Sequence, residues 1–228
     1  MGTPIDTPPI DTFVAPFCHE QVEILHQDES ILLINKPSGL LSLSGKNPLN
    51  RDSVHFRLKQ KFPGACMVHR LDFGTSGIML LALSKSVNAN LTKQFQNRTV
   101  LKTYVAILNG DLVNDQGSID APIAKDRQNF PLLRVCHESG KQAHSRYQVL
   151  ERLQNPVRSR VLFTPGTGRT HQLRIHSSEL GHPILGCDLY GTIQTQALAS
   201  RLLLHALTLE FDHPVTGERV TGRCECPF

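Results

Sequence analysis

Apolar residues along this chain change period several times, and each change marks an element. In "VEILHQDESILLINKPSGLLS", Val22 and Ile24 alternate with polar neighbours, and "ILLIN" is a continuous apolar run. That predicts two short strands, the second of them buried, ahead of turn chemistry at Lys36-Pro37-Ser38-Gly39. From Asp52 the period lengthens: Val54, Leu58 and Phe62 recur every four residues behind an aspartate able to cap, predicting an amphipathic helix that ends at Pro63-Gly64. After "GIMLLALS", a strand by its length, Val87, Leu91 and Phe95 repeat the helical spacing. Strand patterns then dominate in "LKTYVAILNG", "HSRYQVLERL" and "SRVLFTPGT", followed by a helix predicted from near Thr170 to Gly181. In "RLLLHALTLEFDHP", Leu203, His205, Leu207 and Leu209 alternate with their neighbours, as one face of a strand does.

Many strands, three or four helices and no regular βαβ alternation predict an α+β fold, a single domain with a mixed, largely antiparallel sheet flanked by helices. No break in composition divides residues 21–228. Residues 1–20 are set apart as an irregular arm, because "MGTPIDTPPIDTFVAP" is rich in proline and lacks any period. That start also lacks the basic and apolar regions of a secretory signal, and no apolar stretch approaches the roughly 20 residues of a membrane span. A cytoplasmic, soluble protein without a membrane partner is the expectation.

Composition narrows the chemistry. The six cysteines are scattered, and only Cys224 and Cys226 lie close together. With no export signal they read as reduced thiols. The eleven histidines form no His-Glu-x-x-His motif and no Cys/His cluster at ligand spacing, so no metal is expected. There is no dinucleotide fingerprint and no Walker loop. A net charge of +4 permits a nucleic-acid partner without requiring one. Lys59, Lys61, Arg70, Lys85, Lys93, Arg98 and Lys102 punctuate the first half, and Arg158, Arg160, Arg169 and Arg174 the second. They matter if the fold gathers them on one face.

Three segments could carry chemistry. In "HRLDFGTSG" an arginine and a carboxylate stand one residue apart at the mouth of a predicted core strand, beside glycines at 74 and 77. Asp72 could simply organise a turn with Thr75 or Ser76, leaving Arg70 solvated; it could also present a reactive carboxylate. "GTGRTHQLRIH" places Arg169 at a helix start, and His171 and Arg174 on one helical face. Gly166 and Gly168 ahead of them suit an anion such as phosphate. "LKTYVAIL" puts Tyr104, a ring with a hydroxyl, in a strand.

Taken in order, "INKPSGLL", "HRLDFGTSG", "KTYVA", "GRTHQLRIH", "GHPILGCDLYG" and "RLLLHA" resemble the RluA-type RNA pseudouridine synthases, over residues from about 22 to 225. The resemblance is to the short branch without an S4 RNA-binding domain, and it leaves out the arm. It implies the pseudouridine synthase fold for 21–228, with an RNA-binding cleft. The implied activity is isomerisation of uridine to pseudouridine in stem-loops of ribosomal or transfer RNA, by a monomer that needs no cofactor. The family's essential aspartate falls on Asp72, its partner arginine on Arg174 and its tyrosine on Tyr104. Arg70 corresponds to the arginine that fills the gap left when the nucleotide flips out. His69, Arg169, His171 and Leu203 are the further expected RNA contacts. The unusual tail "CECPF" leaves the pairing of the last strand open.

Two other classes compete with this reading. A non-catalytic RNA-binding module of the same fold would have no need to keep Asp72, Tyr104 and Arg174. A nucleoside or glycoside hydrolase would use a second carboxylate to activate water, and this motif offers only one.

Overall fold

The computed structural model describes residues 13–228. Most of the arm's proline-rich start, 1–12, lies outside the described residues. Strands β1 (Glu23–Gln27) and β2 (Ile31–Lys36) lead to helix α1 (Val54–Lys61), the short β3 (Cys66–Met67) and β4 (Ser76–Ala82). Helix α2 (Lys85–Gln96) and β5 (Leu101–Asn109) precede β6 (Gln116–Asp120), β7 (Ile123–Lys125) and β8 (Leu133–Val135). The long hairpin β9 (His144–Leu153) and β10 (Arg158–Pro165) is followed by helices α3 (Gln172–Glu179) and α4 (Ile193–Ala197), and the described chain closes with β11 (Leu204–Asp212) and β12 (Arg219–Arg223).

Ten strands form one sheet in the order β1-β2-β4-β11-β5-β10-β9-β6, with β12 on β11 and β3 on β4; β7 and β8 make a separate ribbon. Every pairing is antiparallel except β4 with β11. This is the α+β, largely antiparallel architecture that the patterns predict. The continuous apolar runs are buried as expected: all seven residues of β4 are inaccessible, and five of six in β2. One core lies between β2, β4, α1 and α2, and a second gathers residues of β5, β10 and α3.

The two cores meet where β4 touches β11, in parallel and for only two residue pairs, His205 with Ser76 and Ala206 with Gly77. Gly77 has φ +112, and a Cβ there would lie 2.2 Å from the Ala206 carbonyl oxygen, so only glycine permits this approach. On its other edge Ala206 pairs with Tyr104 of β5. The turn carrying Asp72, just ahead of β4, is thereby brought beside Tyr104.

Some local expectations need correction. Ser53, not Asp52, caps α1, accepting from the Phe56 N–H at 3.1 Å, while Asp52 takes two hydrogen bonds from Arg57. Helix α3 starts two residues after Thr170, because His171 takes a left-handed conformation, φ 56, ahead of the first turn. The alternation read in β11 fails as well. Leu204, His205 and Ala206 are buried in succession, and a register shift between Ala206 and Thr208 resets the pattern to Leu209 and Phe211. The final strand β12 pairs with β11.

Residues 13–20 lie along the domain. Asn50 donates to the Phe13 carbonyl (2.7 Å) and accepts from the Ala15 N–H (2.8 Å), and Arg57 donates to the carbonyls of Cys18 and Glu20, both at 2.6 Å. The Phe13 ring meets Phe73 edge-on, 5.4 Å between centroids. All six cysteines are free thiols. Among the described residues no helix is long and apolar enough to cross a membrane.

Two buried histidines tie elements together. His205 places Nδ1 2.8 Å from Ser76 Oγ and Nε2 3.1 Å from the Cys224 carbonyl, and His176 does the same with Ser145 and the Ala121 carbonyl, at 3.0 and 3.1 Å. Facing a carbonyl, each Nε2 must carry the ring's proton, and Nδ1 then accepts from serine. Burial pushes both below the ordinary histidine value. The unfolded chain therefore takes up protons first as pH falls through about 6.5, and stability drops there by up to about 1.4 kcal/mol per pH unit for each histidine. Urea midpoints measured from pH 7.5 down to about 5, above most carboxylate titration, should fall steadily. A flat profile would contradict this account.

Candidate active site

Asp72 sits in a turn sewn onto the loop that follows β2. The Phe73 carbonyl accepts from the Gly39 N–H (2.9 Å) and from Lys36 Nζ (3.1 Å), and the Gly74 carbonyl accepts from Ser38 Oγ (2.7 Å). Ser42 Oγ donates to the Leu71 carbonyl (2.7 Å) and accepts the Leu71 N–H (3.1 Å). Within the turn, the Thr75 N–H donates to the Asp72 carbonyl. The bland and the reactive readings of Asp72 are thus compatible: its backbone organises a turn, and its carboxylate is left to face a cavity.

Lys36 is the residue sequence reasoning missed here. It is fully buried, and its ammonium also donates to the Pro37 and Leu40 carbonyls at 2.8 and 2.6 Å. Burial pulls its pKa down to about 7, against the pull of the Asp72 carboxylate. Three carbonyls match the three N–H donors of the charged form, so the geometry favours the ammonium. A lysine at the end of a strand that opens with four buried apolar residues was the available signal.

The cavity in front of Asp72, about 110 Å³, is lined by Arg70, Asp72, Tyr104, Arg169, His171 and Arg174, six of the eight predicted site residues, with Lys102 and Leu204. Arg174, buried within α3, places Nη1 4.0 Å from Asp72 Oδ2. Its Nη2 makes a closer ion pair with Asp188, its Nε lies 3.3 Å from Cys187 Sγ, and its guanidinium lies 5.3 Å from the centre of the Tyr190 ring. Asp188 belongs to the segment "GCDLYG", whose residues carried no assigned role. Tyr104 has its phenol pKa raised, first by burial and then by the Asp72 charge, so the hydroxyl is neutral at physiological pH. His171 Nδ1 lies 2.8 Å from Tyr190 Oη, which also accepts the Leu133 N–H. Arg70 is exposed at the rim.

Two predicted RNA contacts lie elsewhere. His69 turns inward, its Nε2 accepting the Leu80 N–H at 3.0 Å and its ring stacked on Phe95 at 4.8 Å; burial brings its pKa down to about 3. A ring nitrogen that accepts a backbone N–H belongs to a neutral histidine, which fits that direction. Leu203 packs against the second core, and its neighbour Leu204 lines the cavity instead, the usual result of a one-residue error on a strand. The expected anion site at the start of α3 is partly occupied from within, since Gln172 Oε1 accepts from the Arg169 N–H and from Thr167 Oγ1. Among the described residues no group of three or more His, Cys, Asp or Glu side chains could hold a metal ion.

Replacing Lys36 by Met should leave the Pro37 and Leu40 carbonyls without this donor and the Phe73 carbonyl with the Gly39 N–H alone, and cost about 3 kcal/mol or more. Chemical denaturation of the variant measures this, and a loss below about 1 kcal/mol would show that the ammonium does not hold the Asp72 turn.

The family model described as RNA pseudouridylate synthase matches residues 30–179. The chain is 46% identical over 205 residues to the dual-specificity RNA pseudouridine synthase RluA of Yersinia pestis, covering 90% of this chain and 99% of that protein. It is 43% identical to the protein of the same name from Escherichia coli K12, covering 90% and 93%. Among solved structures, the human RNA pseudouridylate synthase domain containing 1 superposes with a TM-score of 0.77 at 30% identity, covering 93% of this chain and 86% of that one.

Proposed function

Because the chain belongs to the RNA pseudouridylate synthase family, and so isomerises uridine to pseudouridine in RNA, we propose that Asp72 is its catalytic carboxylate, with Arg174 and Tyr104 as partners. The observation that carries this assignment is the meeting of all three in one cavity, on β5, α3 and the turn before β4.

The reaction breaks the N1–C1′ bond, turns the freed uracil, joins C5 to C1′, and moves one proton from C5 to N1. Atoms balance without an oxidant, a reductant or water. As the glycosidic bond opens, positive charge grows on the sugar, and a carboxylate beside C1′ stabilises it, as in glycoside hydrolysis. Arg174 faces Asp72 with its positive charge and orients it, while Asp188 and Tyr190 hold the guanidinium in place. Tyr104 offers a ring to the base, and a neutral hydroxyl that can relay the C5 proton. Arg70, exposed at the rim, fills the space left in the RNA by the extruded nucleotide; Arg169 and His171 contact the RNA around it.

The relatives carry dual specificity in their names, and we assign this chain the same breadth, over structured ribosomal and transfer RNA. A monomeric, cytoplasmic enzyme, with residues 21–228 as its catalytic domain, completes the reading.

Single-turnover rates at saturating enzyme test the residues, because they exclude product release and weak binding. Asp72→Asn should abolish isomerisation and keep RNA affinity within a few-fold. Arg174→Met should cripple the rate, and Tyr104→Phe should slow it about a hundredfold with affinity retained. Near-normal turnover by Asp72→Asn, with deamidation excluded by mass spectrometry, would end the case for that carboxylate.

A further inference from the structure

Beside the catalytic cavity lies a second, larger cleft of about 550 Å³ that the isomerisation does not use. The two share Lys102, Pro165, Thr167, Gly168 and Arg169, so a chain leaving one enters the other. Arg98, Lys102, Arg146 and Arg169 line the second cleft, and no carboxylate does, although the lining His144 is bonded at 2.6 Å to Asp120. Among the described residues none of the four cations is within 4 Å of a carboxylate, whereas Arg57, Arg152, Arg174, Arg219 and Arg223 all are. No described carboxylate neutralises the four, although Arg169 gives its Nε to the Gln142 carbonyl at 3.0 Å and burial lowers the Lys102 pKa.

Arg98 adds an independent observation. It follows α2 with φ 60, where the Thr99 N–H reaches back to the Gln94 carbonyl at 3.1 Å to close the helix end. Glycine is the residue favoured at such a position, and any side chain there strains the backbone. An arginine kept in that conformation at the edge of a basic cleft points to work done by its side chain. The cleft also exposes Leu101, 52% accessible, beside Pro165. A duplex presents phosphates and sugars to a protein surface and has no use for an apolar platform; an unpaired base has a face to lay on it.

We propose that this cleft is a track for the unpaired RNA strand flanking the flipped uridine, with its phosphates on Arg98, Lys102, Arg146 and Arg169 and a base against Leu101 and Pro165. The proposal rests on RNA being the substrate, as read above, and extends it to a defined path.

The test uses the full chain, its R98G/R146A double variant, oligouridylate as the single-stranded probe and a loop-free RNA duplex as the control. Binding is followed by fluorescence anisotropy across a salt series. Each lost phosphate contact lowers the log–log salt slope by about 0.7 on a single strand, so the double variant should lose roughly 1.4 on oligouridylate and much less on the duplex. Arg98→Gly alone should raise the melting temperature by about 2 °C, because it releases the left-handed strain. An unchanged slope on oligouridylate would overturn the track. An equal loss on the duplex would overturn the single-strand assignment, and a lower melting temperature for Arg98→Gly would return that arginine to a structural role. Pseudouridine formation by the unaltered enzyme in bulk transfer and ribosomal RNA is scored separately. If conversion occurs while the slope is unchanged, the track alone fails; if no conversion occurs, the substrate reading fails whatever the slope.

Discussion

The approach of two strands at Gly77 is the constraint on which this molecule is built. The sheet consists of antiparallel portions joined at one parallel seam, and at that seam a missing methyl group lets the backbone of β4 close on the Ala206 carbonyl. Ala206 has Gly77 on one edge and Tyr104 on the other. The distance from the Asp72 turn to the tyrosine is therefore set by hydrogen-bonded backbone, the least compliant material available. Sites built on such elements are positioned more tightly than sites on free loops. The seam is also where the two cores abut, so the cavity opens between packed layers.

Two buried cations serve that seam in different ways. Lys36 gives all its donors to carbonyls, including that of Phe73, and so acts on the shape of the Asp72 turn. Arg174 pairs with Asp188, places its Nε against Cys187, and faces the Asp72 carboxylate as the most distant of the three. A buried guanidinium needs compensation in the resting protein. Asp188 and Cys187 make the closest contacts here, so Arg174 is fixed within α3 and faces Asp72 from 4.0 Å.

Most of the architecture was legible in the sequence, because burial on both faces leaves continuous apolar runs and helices leave a four-residue spacing. The "ILLIN" and "GIMLLALS" strands and the Val87-Leu91-Phe95 helix follow from that alone. What could not be read was set by tertiary contact. A register shift within β11 put Leu204, not Leu203, into the cavity, and nothing in "RLLLHA" encodes such a shift. His69 looks like a surface histidine beside a charged pair until the Leu80 N–H is found at its ring. Lys36 reaches the Asp72 turn through the Phe73 carbonyl and Asp188 reaches Arg174 on α3, and no periodicity reports either contact. Asp72, Tyr104 and Arg174 were singled out by the motifs around them and by the family those motifs resemble, and the fold was needed to show that they share one cavity.

The edge-on contact between Phe13 and Phe73 links an otherwise unpatterned segment to the residue next to Asp72. Asn50 fixes the same segment through its backbone, which leaves the ring little freedom to compensate if its neighbour changes size. Positions 13 and 73 should accordingly vary together among relatives that have this segment, bulk at one being exchanged for bulk at the other. Residue 73 would then look variable column by column while obeying a rule shared with a residue sixty positions away.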